Sequence, residues 1–473
     1  MIDNFSIIVL GATGDLAQKK LFPAILRLIG NKKIGENFSI IGAARKSIQK
    51  EEFLEHLKKR TDFKRVTSWE IFEKHFNYQK LDFENEGDFA FLSEKLSELE
   101  KTHNTKRNRL FYLATLPEHF RSIALNLKKH KLTDEKNNWC RVVFEKPFGE
   151  DRTSAKKLND DLKKVFNENQ IYRIDHYLGK ELVQNIAILR AANRVFSPLW
   201  NKENIDHIQI NLVEDFGVET RGNFYDKEGA LRDVGQNHML QLLCLTAMEI
   251  PKKFNEKYIR DEKMKVLKSL SKPTKKDIVL GQYEGFSKEK GVNAESKTET
   301  FFAMKLLVNN KRWKGTPFFI RSGKNLGHKF ASVYVQFKEP NQSMFENQNL
   351  NHNYLLIQIQ PDDGILVQLN GKSPGEKLKV NPVKMTFCHK CAFGINTPEA
   401  YETLIHNALE GDQSAFIRSD EIEESWKLID EIKKLKTPVQ KYSKGSFGPK
   451  KSEALMPKGT KWFNKSENVF QGI

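Results

Sequence analysis

The chain has 473 residues, 39% hydrophobic and 29% charged, enough apolar material for two or three domains and too much for a disordered chain or a small disulfide scaffold. Its 78 Lys and Arg against 61 Asp and Glu leave a net +17 that attracts anions, but the lysines fall in scattered pairs without the aromatic clustering a nucleic-acid surface needs. No stretch approaches about 18 uninterrupted apolar residues, Met1 to Ser6 lacks the basic segment of a signal peptide, and four cysteines argue for a reducing cytoplasm, so neither membrane attachment nor disulfides are expected.

Phe5 to Leu10 is a compact apolar run ending at Gly11, a predicted strand. Asp15 to Ile29 follows with helical spacing (Leu16, Leu21, Ile25, Leu28), and Pro23 inside it should kink the helix. Phe38 to Ala43 reads as a second buried strand and Glu51 to Lys59 as a charged helix. Further strands are predicted at Leu110 to Ala114 and Val142 to Phe144, with a helix at Phe120 to His130 between them. Such alternation predicts an α/β domain with a parallel sheet covered on both faces.

After about residue 205 the pattern changes. Ile208, Ile210 and Leu212 alternate with Gln209 and Asn211; Val333 and Val335 alternate with Tyr334 and Gln336; Leu355, Ile357 and Ile359 repeat the period. This predicts an α+β region built on a large antiparallel sheet with one covered face. Helices are expected at Gly179 to Asn193, Ala230 to Met248, Glu399 to Leu409 and Asp420 to Leu435. Ser271 to Lys276 and Asn341 to Asn353 read as surface loops, and residues after about Lys441 as an irregular tail.

Several segments are suited to chemistry. Gly11-Ala12-Thr13-Gly14 joins a strand to a helix, where backbone N–H groups can meet a pyrophosphate, or where the glycines simply make a tight turn. The second strand ends at Arg45-Lys46 with no acid to hold an NAD ribose, which suits the 2′-phosphate of NADP. Glu145-Lys146-Pro147-Phe148-Gly149 lies at the carboxyl edge of the sheet, where ligands bind, and its Lys-Pro step is a candidate cis bond. His176, Tyr177 and Lys180, in Arg173 to Glu181, offer three donors at the start of a helix, either an anion cradle or an ordinary cap. His238 lies early in an apolar helix. It reads as a core histidine unless a carboxylate orients it as a base. Cys388 and Cys391 lack a second pair for zinc and a thioredoxin-like setting, so no function and no metal is expected there.

Taken in order, these residues resemble the glucose-6-phosphate dehydrogenase family. The matching segments are Gly11 to Ala17, Glu145 to Gly149, Tyr172 to Glu181, Arg232-Asp233, Gln236 to His238, Arg321 to Lys324, Pro398 to Glu402 and Arg418 to Glu421; the stretch from Asp175 to Glu181 is the most specific. The resemblance implies an NADP-binding Rossmann-like domain over residues 1–175. It also implies a substrate-binding and dimerisation α+β domain over residues 176–473, in a cytoplasmic homodimer or homotetramer. It implies NADP as cofactor, NAD as a weaker alternative, no metal, and glucose 6-phosphate as substrate. His238 would take the C1 hydroxyl proton and Asp175 would orient it. His176, Tyr177, Lys180, Glu214, Asp233, Lys324 and Lys329 would contact the sugar or its phosphate. Lys146 would bridge substrate and nicotinamide. Gly11, Ala12, Thr13, Gly14, Asp15 and Leu16 would hold the dinucleotide, with Arg45 on the 2′-phosphate and Asp82 on the adenosine side. Lys329 stands where some members have arginine. Some animal members bind a second, structural NADP near the C-terminal sheet, and Gly364-Ile365-Leu366-Val367-Gln368 departs from that pattern. A catalytically silent NADP sensor on the same fold would have no reason to keep His238, Asp175 and the cradle together.

Overall fold

The computed structural model describes the chain except residues 61–65, 341–344, 346–349, 395–397 and 465–473. It divides into two compact units, one of Met1–Lys180 with Phe254–Arg260 and Pro398–Ile422, the other of the remaining described chain. Among the described residues no helix is long and apolar enough to cross a membrane.

The strands run in chain order as β1 (Phe5–Leu10), β2 (Phe38–Ala44), β3 (Phe76–Lys80), β4 (Arg109–Leu113), β5 (Cys140–Phe144), β6 (Ile171–Ile174), β7 (Ile205–Val213), β8 (Ile278–Tyr283), β9 (Phe301–Leu307), β10 (Pro317–Gly323), β11 (Phe330–Phe337), β12 (Tyr354–Gln360), β13 (Gly364–Lys372), β14 (Val380–Cys388), β15 (Phe416–Ile417) and β16 (Val439–Tyr442).

In the first unit the sheet order is β15-β6-β5-β4-β1-β2-β3, parallel except for β15. Every residue of β1, β2 and β4 is buried, as expected where helices cover both faces. Edge-to-face contacts of Phe22 with Phe53, Phe72 and Phe76 fasten the flanking helices to the sheet edge. The helix that contains Pro23 is irregular next to it. A π-helical turn, Ala17–Leu21, passes directly into the α-helix Phe22–Gly30, whose first turn holds the proline.

In the second unit the order is β14-β13-β12-β11-β7-β10-β9-β8-β16. The sheet is mixed and mostly antiparallel, with β7–β10 and β8–β16 parallel. The expectation of a single covered face is corrected at its centre: β11 and β12 are buried along nearly their whole length, and Gln209, Asn211, Ser332 and Gln358 are buried too. The chain after Lys441 is irregular as expected, apart from one helical turn, yet it supplies part of that cover. β16 ends at Tyr442, a turn at Lys450–Leu455 follows, and a later segment lies on the polar face of the sheet. There Gln209 donates to Lys461 O at 3.1 Å and accepts from Phe463 N–H at 2.7 Å, and Phe463 stacks on Tyr334.

Two further corrections follow. The predicted helix Ala230 to Met248 is a π-helix, Leu231–Met239, running into an α-helix, Leu240–Ala247. The cysteines are not all reduced, since Cys388 and Cys391 form a disulfide across the junction of β14 with the short helix His389–Phe393. The expected loop Asn341 to Asn353 lies mostly outside the described residues.

Candidate active site

The carboxyl ends of β1, β2, β4, β5 and β6 share one edge, and strand order reverses between β1 and β4, the switch point where such sheets bind ligands. There β1 passes into Gly11-Ala12-Thr13-Gly14. Gly11 has φ +96°, and a Cβ on it would collide with Ala114 O, so only glycine fits. Gly11 and Ala12 anchor the turn through their N–H groups to Ala43 O, at 2.8 and 3.1 Å. Asp15 and Leu16 open the helix with no earlier helical turn for their amides to bond to, and so present the donors a pyrophosphate uses. Gly14 is exposed beside them and Thr13 is half-buried. The Asp15 carboxylate is itself exposed, and its hydrogen bond with Lys19 at 2.9 Å holds it below the usual carboxylate range.

Arg45 and Lys46 follow β2, both exposed, with Lys46 O accepting from the Tyr78 hydroxyl at 2.6 Å. Asp82 follows β3. Its carboxylate is committed to the turn that opens the next helix, accepting from Glu84 N–H at 3.1 Å.

At the end of β5, Glu145 is buried, Lys146 is joined to Pro147 by a cis peptide, and Gly149 takes φ +79° against Ala155. Burial pushes the Glu145 carboxyl up to about 7. Past β6, Asp175 is buried and its Oδ1 accepts from Tyr177 N–H at 2.9 Å. The helix expected from Gly179 begins at Glu181, so His176, Tyr177 and Lys180 lie in the turn before it. Tyr177 organises that turn, with the His176 ring edge-on at 5.1 Å and Lys180 Nζ 4.3 Å from its ring centre. Gly179 is required here because a Cβ would lie 2.5 Å from Ala400 O.

The second unit gathers the remaining candidates. Lys324, buried at the end of β10, pairs with Glu214 Oε2 at 2.7 Å and lies over the rings of Phe216 and Tyr225 at 4.8 and 5.1 Å. Lys329 lies over the same Phe216 ring at 5.6 Å. Burial, with Asp233 and Glu214 nearby, pushes the Tyr225 hydroxyl well above its ordinary range. Asp233 and His238 both ride on the π-helix, and His238 is buried, with its backbone N–H donating to Asn237 Oδ1 at 2.6 Å. The segment starts after Gly229, at φ +70°, and half-buried Glu299 caps it by accepting from Leu231 N–H at 3.1 Å. Wide helical turns of this kind recur at functional sites.

The first unit thus brings Gly11 to Leu16, Arg45, Asp82, Lys146 and Asp175 to Lys180 to one sheet edge. The second brings Glu214, Lys324, Lys329 and Asp233 around two aromatic rings. Sequence reasoning missed Phe216 and Tyr225, and it gave no role to Tyr401. Phe216 and Tyr225 belong to no motif, whereas Tyr401 lies within Pro398 to Glu402 and needed only a role.

A doubly wound sheet with a glycine turn at its switch point, followed by an α+β unit, defines a dinucleotide-binding oxidoreductase architecture. Residues 8–185 match the family model described as "Glucose-6-phosphate dehydrogenase, NAD binding domain", and residues 187–463 match "Glucose-6-phosphate dehydrogenase, C-terminal domain". The chain belongs to the glucose-6-phosphate dehydrogenase family and is a nicotinamide-linked oxidoreductase. The glucose-6-phosphate 1-dehydrogenase of Bacillus subtilis (strain 168) is 43% identical, covering 97% of this chain and 98% of its own. The protein named glucose-6-phosphate 1-dehydrogenase 5, cytoplasmic, of Arabidopsis thaliana is 39% identical over 96% of this chain and 91% of its own. A solved glucose-6-phosphate dehydrogenase in complex with its substrate glucose 6-phosphate matches with TM-score 0.92 and 34% identity, over 98% of this chain and 99% of that one.

Proposed function

We propose that this chain oxidises glucose 6-phosphate at C1 to 6-phospho-D-glucono-1,5-lactone with NADP as the acceptor, the entry reaction of the oxidative pentose phosphate pathway. The observation that carries the reading is the sheet edge of the first unit, where a glycine turn, an exposed Arg45 without a ribose-binding acid, Lys146 and the Asp175 to Lys180 turn share one rim. The residues present fit a dinucleotide, because the Gly11 turn leaves backbone donors open at a helix start.

His238 takes the C1 hydroxyl proton onto its imidazole, and Asp175 orients that ring. A bound nicotinamide would supply the acceptor for the hydride that leaves C1. His176, Tyr177 and Lys180 hold the phosphate, and Lys324, Lys329, Glu214 and Asp233 hold the sugar end to end, so that C1 meets the acceptor at a fixed distance. Lys146 would contact both substrate and nicotinamide. Arg45 reads the 2′-phosphate and thereby favours NADP over NAD. In this reading residues 1–175 bind the cofactor and residues 176–473 bind the substrate and dimerise. Self-association as a homodimer or homotetramer is supported by the exposed apolar side chains Val383, Met385 and Phe387 on β14. We extend the cytoplasmic setting of the plant relative's name to this chain.

The test is NADPH absorbance on mixing the protein, glucose 6-phosphate and NADP. Wild type should turn over, and His238→Asn should lose about 10²–10⁴ in rate while still binding both ligands. No turnover in wild type, or more than about a tenth of it kept by the variant, refutes the reading.

A further inference from the structure

The strand end that carries Lys146 also carries a carboxyl group to which the chemistry above gives no task. Glu145 is buried, and the Tyr112 hydroxyl donates to its Oε1 at 2.6 Å. Tyr401 donates a second hydrogen bond to the same carboxyl. The three residues come from three elements. Tyr112 is on β4, in register with Val143 of β5; Glu145 follows β5 directly; Tyr401 is the second residue of the helix Ala400–Glu410. That helix start also meets the turn past β6, because a Cβ on Gly179 would lie 2.5 Å from Ala400 O and 2.8 Å from Leu404 Cγ. One carboxylate therefore joins the segment holding Lys146 to the helix on which the His176 to Lys180 turn rests.

A buried acid costs free energy that an aliphatic residue of the same size would not, so its retention needs a reason. The groups acting on it come from every neighbouring element: Tyr112 from β4, Lys146 from the end of β5, Asp175 from the end of β6 and Tyr401 from the helix. Burial and the charge of Asp175 favour the neutral acid, while the two phenols and Lys146 favour the anion. The anion is the form that satisfies both tyrosines, since it accepts from each. A protonated carboxyl keeps only its carbonyl oxygen as a strong acceptor, so the two phenols would have to share it or bond the weaker hydroxyl oxygen.

Resting on the function proposed above, we infer that Glu145 is a positioning residue whose carboxylate, gripped by Tyr112 and Tyr401, locks the Lys146 segment and the Asp175 to Lys180 turn into one rim that aligns the sugar phosphate. It touches neither substrate nor cofactor and acts through the residues it holds.

Steady-state kinetics on full-length Glu145→Gln, Tyr401→Phe and the double variant test this, with NADP affinity measured separately by fluorescence titration and folding by thermal melting. Each single variant should raise KM for glucose 6-phosphate about tenfold and lower kcat, as expected for one lost hydrogen bond to a charged group. NADP affinity should change less than about twofold, because the glycine turn is untouched. The double variant should be no worse than Glu145→Gln, since both changes break the same bond. Unchanged KM and kcat, multiplicative losses in the double variant, or a loss seen only in melting temperature with KM intact would each overturn the role. If Glu145→Gln does not fold, Tyr401→Phe, which removes a single oxygen, decides by the same KM and kcat criteria. Absence of wild-type turnover refutes the function itself and is seen before any variant is made.

Discussion

Arg45 and Lys324 are both cations of the proposed site, yet their surroundings give them opposite duties. Lys324 is buried, paired with Glu214 and covered by two aromatic rings, so its ammonium is fixed before any ligand arrives. Arg45 is exposed at the end of β2, and no hydrogen bond or ion pair to its side chain is found among the described residues. A guanidinium so placed gains most when a phosphate reaches it. Arg45→Ala should therefore weaken NADP by roughly 10–100-fold, the worth of a charge-assisted hydrogen bond, and leave NAD nearly unaffected. Binding titrations with the two cofactors check it. Equal losses would make Arg45 structural, or pass the reading of the 2′-phosphate to Lys46. The acid-free end of β2 was legible in the sequence because it depends only on which residues follow a strand. The aromatic seat of Lys324 was not, because Phe216 and Tyr225 reach it from a loop and a helix that no spacing rule connects.

At the scale of elements, the turn after β1 combines a left-handed glycine with a close backbone approach. Gly11→Ala would force an L side chain into φ +96° and against Ala114 O at the end of β4. The strain alone is worth about 1–3 kcal/mol, and the neighbouring carbonyl can escape only by moving the strand end. The variant should melt several degrees lower and bind NADP measurably more weakly than wild type. A protein with wild-type melting and affinity would show that the turn tolerates a side chain and that the glycine is not what opens it to a dinucleotide. The apolar spacing placed the helices it named to within two residues of their ends, but it missed Val66–His75, Glu86–Thr102, Arg152–Lys163 and Glu256–Ser269, whose polar faces interrupt the stripe. It could not show the π-helical turns at Ala17–Leu21 and Leu231–Met239, since one extra residue per turn barely shifts an apolar stripe over so short a run. The start of the helix after β6 moved for a related reason. Gly179 and Lys180 have residues that suit a helix start, but the close packing of Gly179 on Ala400 keeps them in a turn.

At the scale of the whole molecule, the chain beyond Lys441 completes the large sheet of the second unit. Trp462 is buried, donates from Nε1 to Ser452 O at 2.9 Å, and lies with its ring 4.6 Å from the Arg321 guanidinium. Arg321 is fully buried, and desolvation pulls it down to about 9; its donors go to Asn211, Phe463 O and Asn464. Trp462→Ala should cost roughly 3–5 kcal/mol, a drop of several degrees in melting temperature, by opening a cavity and uncovering that charge. An unchanged melting curve would mean that this segment does not stabilise the sheet. Period-2 alternation and β–α alternation are local properties of the chain, so the sequence by itself determined the two kinds of sheet, the glycine turn and the order of the motifs. It could not determine that the polar face of the second sheet is covered, that β7 and β10 run parallel, that Cys388 meets Cys391 in a disulfide, or that Tyr112 and Tyr401 converge on Glu145. Each of these depends on which distant segments share space, and only the packed tertiary structure, where buried polar groups must find partners, decides that.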